Sequence, residues 1–475
     1  VTVTPLSPGY IFNATEDESD LVSELLFRLS QHQQANATKL AYYLGEQVTE
    51  QLGIAIPPGL ATVELAAGWS GTTVDVLEER LDWYGWRTDG DDFGLGEVYA
   101  GNALDVEAGR AHLDALIYGT AFAVVGTGEP GEPSPLVTLH SPAGMTGLWD
   151  ARSRRLRAAL SLTPLPRGEQ EARLYLPDQT VVMTRPVNGG RWTVVDRDQH
   201  RLGRVPVVQF ENRARNGVRG RSEITRAVRY YTDAAVRTLL AMEIHREFYQ
   251  APQRYALGVD ESDFIDASGN VRSGWETIMG RVWALNRDDD GNLPEVGQFS
   301  PASPTPYLDQ VRGLAQMLAA EAGIPSTYLG FQTDNPASAD AIRAAEARLI
   351  KRAERRQVVF GRSWLEVGRL ALLVRDRAVP DGFAVVANQW RDAATPTRAA
   401  TADETSKYIA AGVLPPDSQV TYDRMGLSPA EQRQLAADRR RATGTSVLQA
   451  LTEAANRAVA PTATTDTSGD TGPAA

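Results

Sequence analysis

The 475-residue chain contains no cysteine. That absence excludes disulfides, thiolate zinc sites and cysteine nucleophiles together, and is compatible with a reducing compartment. Lysine is scarce as well: Lys39, Lys351 and Lys407 are the only three, leaving 45 arginines among 48 basic residues. A phosphate-cradling Walker loop needs Gly-Lys followed by Ser or Thr, and none of these lysines follows a glycine. Long apolar runs are missing too. The longest aliphatic stretch, Leu370 to Val374, falls far short of the ~20 residues of a membrane helix. The segment from Val1 lacks a basic stretch followed by an apolar one, so neither a membrane span nor a secretion signal is expected.

Other signatures of chemistry are absent or incomplete. The five histidines, His32, His112, His140, His200 and His245, are dispersed and form no HExxH or similar metal spacing. No Gly-x-Ser-x-Gly turn occurs, and Gly68-Trp-Ser70-Gly71 suits a helix start instead. Gly126-Thr-Gly128-Glu-Pro-Gly131 has dinucleotide-type spacing, but Pro130, Pro133 and Pro135 forbid the helix that would hold a pyrophosphate, so a hairpin turn is expected. Asp288-Asp-Asp-Gly-Asn292 places its glycine wrongly for a calcium loop and reads as a solvated turn. No cofactor or metal is expected, and no internal repeat is present.

The formal charge of −12 argues against a protein that grips nucleic acid along its length, because such binding rests on cations that neutralise phosphates. A hydrophobic content of 42% supports a sizeable core, and the length calls for two or more packed modules.

Periodicity predicts an α+β chain, mostly helical. Residues 16 to about 119 read as mostly helical and end in a helix near Val106 to Tyr118. Short alternating runs at 121–125, 158–162, 180–184, 192–195 and 205–208 predict a mainly antiparallel sheet. A helix over about 222–250 follows, with Ile224, Val228, Tyr231, Ala235, Leu239 and Met242 on one apolar stripe. Residues 251 to 304 read as strands and turns, and a second helix runs from about 307 to 322. After a Gly-rich polar stretch, the spacing predicts a helix from Ala339 to about Arg377, roughly 58 Å long at ~1.5 Å per residue. Ser338 is its expected N-cap, and Gly361 and Gly368 are candidate kinks. Ten basic residues stand against five acidic ones in that helix. Arg348, Lys351, Arg352, Arg355 and Arg356 therefore form a candidate docking face for an acidic surface of a neighbouring copy, beside the alternative of a solvated face laced with acid-base pairs. A strand at 383–386 and helix starts at Thr395-Pro396 and Ser428-Pro-Ala-Glu431 come last.

This order of elements, together with Gly323-Ile-Pro-Ser-Thr-Tyr-Leu-Gly330 and Asn335-Pro-Ala-Ser-Ala-Asp-Ala-Ile342 continuing to Phe360 and Trp364, resembles the portal proteins of tailed phages, especially the siphovirus branch. Gly220-Arg-Ser-Glu-Ile224, Ser141-Pro142 with Trp149-Asp150, and Trp390-Arg-Asp392 followed by Lys407 add to the likeness. Ala337 departs from it, where a hydroxyl residue is expected. The resemblance implies a ring, typically of twelve copies, at one capsid vertex of the virion, assembled in the host cytoplasm. It implies a wing over 1–221, stem helices over 222–250 and 307–322, and a clip over 251–306. A tunnel loop over 323–338, a long helix with return to the wing over 339–390, a helical crown over 391–460 and a disordered tail over 461–475 complete that division. Phe331, Gln332, Thr333, Asp334, Asn335, Pro336 and Ala337 are then the residues expected to face DNA. The implied partners are further copies of the chain, double-stranded DNA in transit, the major capsid protein, the terminase packaging motor and an adaptor or neck protein. Rival readings are a non-viral ring scaffold and a magnesium-dependent nucleic-acid enzyme using Asp89, Asp91 and Asp92, which sit in a Thr-Asp-Gly-Asp-Asp turn.

Overall fold

The computed structural model describes residues 11–48, 65–250 apart from 89 and 188, 254–258, 291, 293–300, 303–331, 339–394, 398–427 and 431–442. The chain divides into two compact units, Val1–Ala393 and Ala394–Ala475.

The first unit opens with α1 (Glu16–Leu44), which starts at a capping box formed by Thr15 and Glu18. Glu18 is buried, and its carboxylate also receives Arg197, so the helix start is tied to the sheet below it. Then come α2 (Trp69–Glu78), β1 (Trp83–Arg87), α3 (Leu95–Gly101) and α4 (Leu104–Tyr118). The helix start expected at Gly68 to Gly71 is present, with Gly68 as N-cap.

Strand β2 (Thr120–Gly126) pairs with β3 (Leu136–His140) as an antiparallel hairpin, so the glycine-rich stretch at 126–131 is part of the connection between two strands. β4 (Met145–Asp150), β5 (Arg155–Leu165), β6 (Glu169–Tyr175), β7 (Thr180–Pro186) and β8 (Thr193–Asp198) follow as a five-stranded antiparallel meander. β9 (Val207–Glu211) returns to the far side of β2 and completes a three-stranded sheet in the order β3-β2-β9. Alternation along β5 to β7 buries Ala158, Leu160, Ala172, Leu174, Val181 and Met183. With Leu148 and Trp192, they form one core with Val22, Leu25 and Leu26 of α1.

Helices α5 (Arg226–Gln250) and α6 (Thr305–Ala322) pack along each other, with Ala235 and Val236 buried against Leu314. Between them β10 (Arg254–Leu257) pairs with β11 (Glu295–Gln298) as an antiparallel ribbon. The Asp288-to-Asn292 turn lies outside the described residues except for Gly291. The long helix α7 (Ala339–Asp376) has 38 residues, about 57 Å at 1.5 Å per residue. Its expected cap Ser338 lies outside the described residues.

The region from 16 to 119 is mostly helical, as expected, with β1 set between its helices. The expected last strand at 383–386 needs correction: it is β12 (Ala387–Trp390), with residues Asp381–Val385 forming a 3-10 turn instead. β1 and β12 pair with each other, Trp83 opposite Trp390 and Trp86 opposite Asn388. Each strand is short, and its partner lies at the other end of the unit, so neither is visible to a local pattern. This ribbon lies across α7. Trp83 stacks on Trp364 with centroids 4.2 Å apart, and Trp364 Nε1 donates to Nε2 of the fully buried His112 at 2.9 Å. Trp86 Nε1 donates to the Trp364 carbonyl at 2.9 Å, and Asn388 Nδ2 to the Gly361 carbonyl at 2.7 Å. Gly361 and Gly368 therefore serve close approach. A Cβ at either would stand 2.9 Å from the nitrogen of Asn388 or Trp86.

In the second unit α8 (Arg398–Ala410) and α9 (Gln419–Arg424) are followed by a helical stretch over 431–442. Ser418 caps α9 by accepting from Thr421 N. The expected helix starts at Thr395-Pro396 and Ser428 to Ala430 lie outside the described residues, although helix follows each of them.

Candidate functional site: two clamps on the long helix

Helix α5 was expected to begin at Ser222, but residues 222–225 stay out of the helix because they close the end of α4. Helix ends leave unpaired carbonyls. Here Ser222 Oγ donates to Ile117 O, and Glu223 N donates to Leu116 O at 2.9 Å. Lys39 Nζ takes Tyr118 O at 2.8 Å. This turn aims the Glu223 side chain inward, where it is 1% exposed.

A carboxylate so deep in protein persists only if it is paired. Arg352 and Arg356, one helical turn apart on α7, each place a guanidinium nitrogen 2.5 Å from a different Glu223 oxygen. Arg213 approaches the second oxygen at 3.2 Å. Asn212 donates to Glu223 Oε1 at 3.1 Å and accepts from Arg356 Nε at 3.1 Å. Burial by itself would raise the Glu223 pKa, but Arg352, Arg356 and Arg213 together hold it below the usual carboxylate range. The carboxylate thus locks α7 to the start of α5.

A second clamp holds α7 nearer its start. Gly323 ends α6 in the left-handed conformation, φ 67°, which a side chain would adopt only with strain. A Cβ there would also meet Arg348 Nε at 2.9 Å. Arg348 uses this space to donate to Ala320 O at 2.6 Å, a cation on the last carbonyls of a helix. Pro325 then leads a 3-10 turn, Ser326–Leu329. Tyr328 at its end donates its hydroxyl to Glu346 Oε1 at 2.6 Å. Burial, then the Glu346 hydrogen bond, raises the Tyr328 pKa, which keeps the hydroxyl a donor. Arg80 completes the clamp, reaching Tyr328 OH and Glu346 at 3.3 Å and Ala393 O at 2.7 Å.

Of the residues singled out from sequence, Phe331 sets its ring edge-on against Trp69, with centroids 6.5 Å apart, and packs on the main core. This packing anchors the start of the loop on the core of the first unit. Gln332, Thr333, Asp334, Asn335, Pro336 and Ala337 lie outside the described residues. Arg352 and Arg356 are spent on Glu223 inside the chain, so they do not form an outward docking face; Arg348, Lys351 and Arg355 are exposed. Lys351 pairs along the helix with Glu354 at 2.6 Å. Asp91 accepts from Phe93 N, and Asp92 from Gly94 N and Gly96 N, so both act as turn formers; Asp89 lies outside the described residues.

Sequence reasoning missed Arg80, Asn212 and Arg213 and the role of Glu223. The last had a signal, an acidic residue set between Ser222 and Ile224 where the chain turns apolar. Among the described residues no group of three or more His, Asp or Glu side chains could hold a metal, and no helix is long and apolar enough to cross a membrane.

A family model described as "Phage portal protein, SPP1 Gp6-like" matches residues 31–442. This chain belongs to the SPP1 Gp6-like family of phage portal proteins. Two portal proteins of mycobacteriophages are among its relatives. That of Mycobacterium phage D29 is 32% identical over 427 residues, 87% of this chain and 86% of that protein. That of Mycobacterium phage L5 is 32% identical over 415 residues, 84% of each. Among solved structures, one described as "Virion of native gene transfer agent (GTA) particle" aligns with a TM-score of 0.45 at 14% identity, covering 83% of this chain and 94% of that one. Another, "Neck of native GTA particle computed with C12 symmetry", aligns with a TM-score of 0.41 at 14% identity, covering 79% and 95%.

Proposed function

We propose that the chain assembles into a ring of twelve copies at one capsid vertex of a virion. The ring is a conduit through which a packaging motor inserts DNA and from which DNA leaves at infection. Family membership across residues 31–442 supports the reading. The observation that carries it into mechanism is the pair of clamps. Phe331, Tyr328 and Gly323 fix one end of the 332–338 segment, and Arg352 and Arg356 fix the helix that follows it. In such a ring Gln332 to Ala337 are the residues that meet passing DNA, and their small and polar side chains suit transient contact. With a formal charge of −12 per copy, the assembly does not trap phosphates by bulk attraction.

The proposed division of labour gives the clip over 251–306 to the motor and then to an adaptor or neck protein, and the wing to the major capsid protein. The stem is formed by α5 and α6, and the crown by residues 391–460. The protein supplies geometry and carries out no chemistry of its own, and it is at work in the host cytoplasm during assembly. Deleting Gln332 to Asn335 tests the reading. Rings should still form by negative-stain microscopy while DNA packaging or retention fails. Unchanged packaging would remove the loop from the mechanism, and a wild-type protein that stays monomeric under all conditions would remove the ring.

A further inference from the structure

Helix α7 has an outward stripe as well as a buried one. Arg348, Lys351, Arg355, Val358 and Arg362 are exposed and follow one another at steps of three, four, three and four, which is one face of a helix. That face lies opposite the fully buried Leu349, Ala353, Phe360 and Trp364. Val358 is 63% and its neighbour Val359 41% exposed, so apolar surface sits among the cations. Phosphates would call for the cations alone. A cation stripe with aliphatic side chains set into it fits a protein surface that is acidic and in part apolar.

The C-terminal end of α2 has the complementary character. Asp75, Glu78, Glu79 and Asp82 gather there, and the last turn of the helix holds no basic residue. Carboxylates at a helix C-terminus stand against its negative dipole end. Among the described residues, the Tyr43 hydroxyl lies 2.9 Å from Asp75 and Arg391 lies 3.2 Å from Asp82. Burial, then the Asp82, Asp75 and Glu79 charges, pushes the Glu78 carboxyl up to about 7. A cation supplied from outside would relieve that repulsion. The chain's own stripe does not supply it, because the end of α2 meets α7 on its inner side, where Gln357 Nε2 donates to Arg80 O at 3.1 Å.

We propose that the Lys351, Arg355 and Val358 stripe of α7 docks on the acidic end of α2 in a second copy of the chain. The two surfaces differ, so the contact is head-to-tail, and such contacts close into rings when the rotation permits. The proposal rests on the ring reading above and names the residues that join its neighbours.

Charge exchange tests it. K351E/R355E should form rings at least tenfold more weakly than wild type in sedimentation velocity and negative stain, with an unchanged circular dichroism spectrum. E78K/E79K should fail likewise, and combining all four substitutions in one chain should restore rings. Should the half-buried Glu78 fail to tolerate lysine, E79K alone with K351E serves the same purpose. Rings of wild-type strength in K351E/R355E overturn the interface and leave the ring reading standing. So does a four-fold variant no better than its parents. Rings that persist while only DNA retention changes would assign the stripe to DNA and overturn the proposal as well. A wild-type protein that never forms rings overturns the ring reading itself.

Discussion

Replacing Glu223 by alanine should be among the most damaging single changes available in the first unit. It leaves Arg352 and Arg356, with side chains 14% and 10% exposed, facing each other without their shared carboxylate. Breaking a buried ion pair by removing one partner costs about 3–5 kcal/mol, mostly from the charge left uncompensated. The residual interactions of Arg356 with Asn212 and the Arg352 carbonyl soften this only in part. Urea unfolding followed by tryptophan fluorescence reads the loss directly, since Trp364 and Trp83 stack on the same helix. The companion variant E223L/R352M/R356L should recover most of the stability, because replacing the buried members of an ionic group by apolar side chains is often neutral, and Arg213, 36% exposed, can turn to solvent. A pH series adds a sign. The folded Glu223 pKa lies below its usual value of 4.5, so its contribution is complete above that value and is lost as pH falls through the folded pKa. An E223A variant within about 1 kcal/mol of wild type would refute the reasoning, because the cluster would then lock nothing.

Gly368→Ala should push Trp86 away from α7 and loosen the β1–β12 ribbon, at a cost of about 1–3 kcal/mol for overpacking, measured as a lower urea midpoint at unchanged slope. The His112 pKa is held down to about 3 by burial, against 6.5 when unfolded. The unfolded chain therefore binds the extra proton first, and stability should fall as pH drops below 6.5 towards 3. In H112Q that slope should flatten between pH 6.5 and 4, while an identical slope would locate the acid sensitivity elsewhere.

Much of the fold was legible because much of it is local. The stripe on α5, the alternation in β5 and β7 and the charge-rich course of α7 each repeat with their own period over several turns or residues. What escaped was set by partners far along the chain. β1 and β12 carry too few residues to declare themselves, and β3, β4 and β6 hide in runs broken by turns. The second clamp is built on the glycine-bounded segment at 323–330, yet it depends on Arg80 and Glu346, which no spacing links to Tyr328. Likewise the basic residues of α7 looked equivalent in sequence. Only the fold separates Arg352 and Arg356, turned in toward Glu223, from Lys351 and Arg355, turned out.

The meeting of Trp83 with Asn388, 305 positions apart, also sets a timetable for biogenesis. At ~5–20 residues per second, a ribosome needs roughly 15–60 s after making the first partner before it releases the second. Through most of that interval Trp83 lacks not only Asn388 but also the helix on which its ring stacks, because α7 is made just before β12. The β1–β12 ribbon and the aromatic packing beneath it are therefore late events in the folding of the first unit, whatever α1 to α4 and the sheets have formed before them.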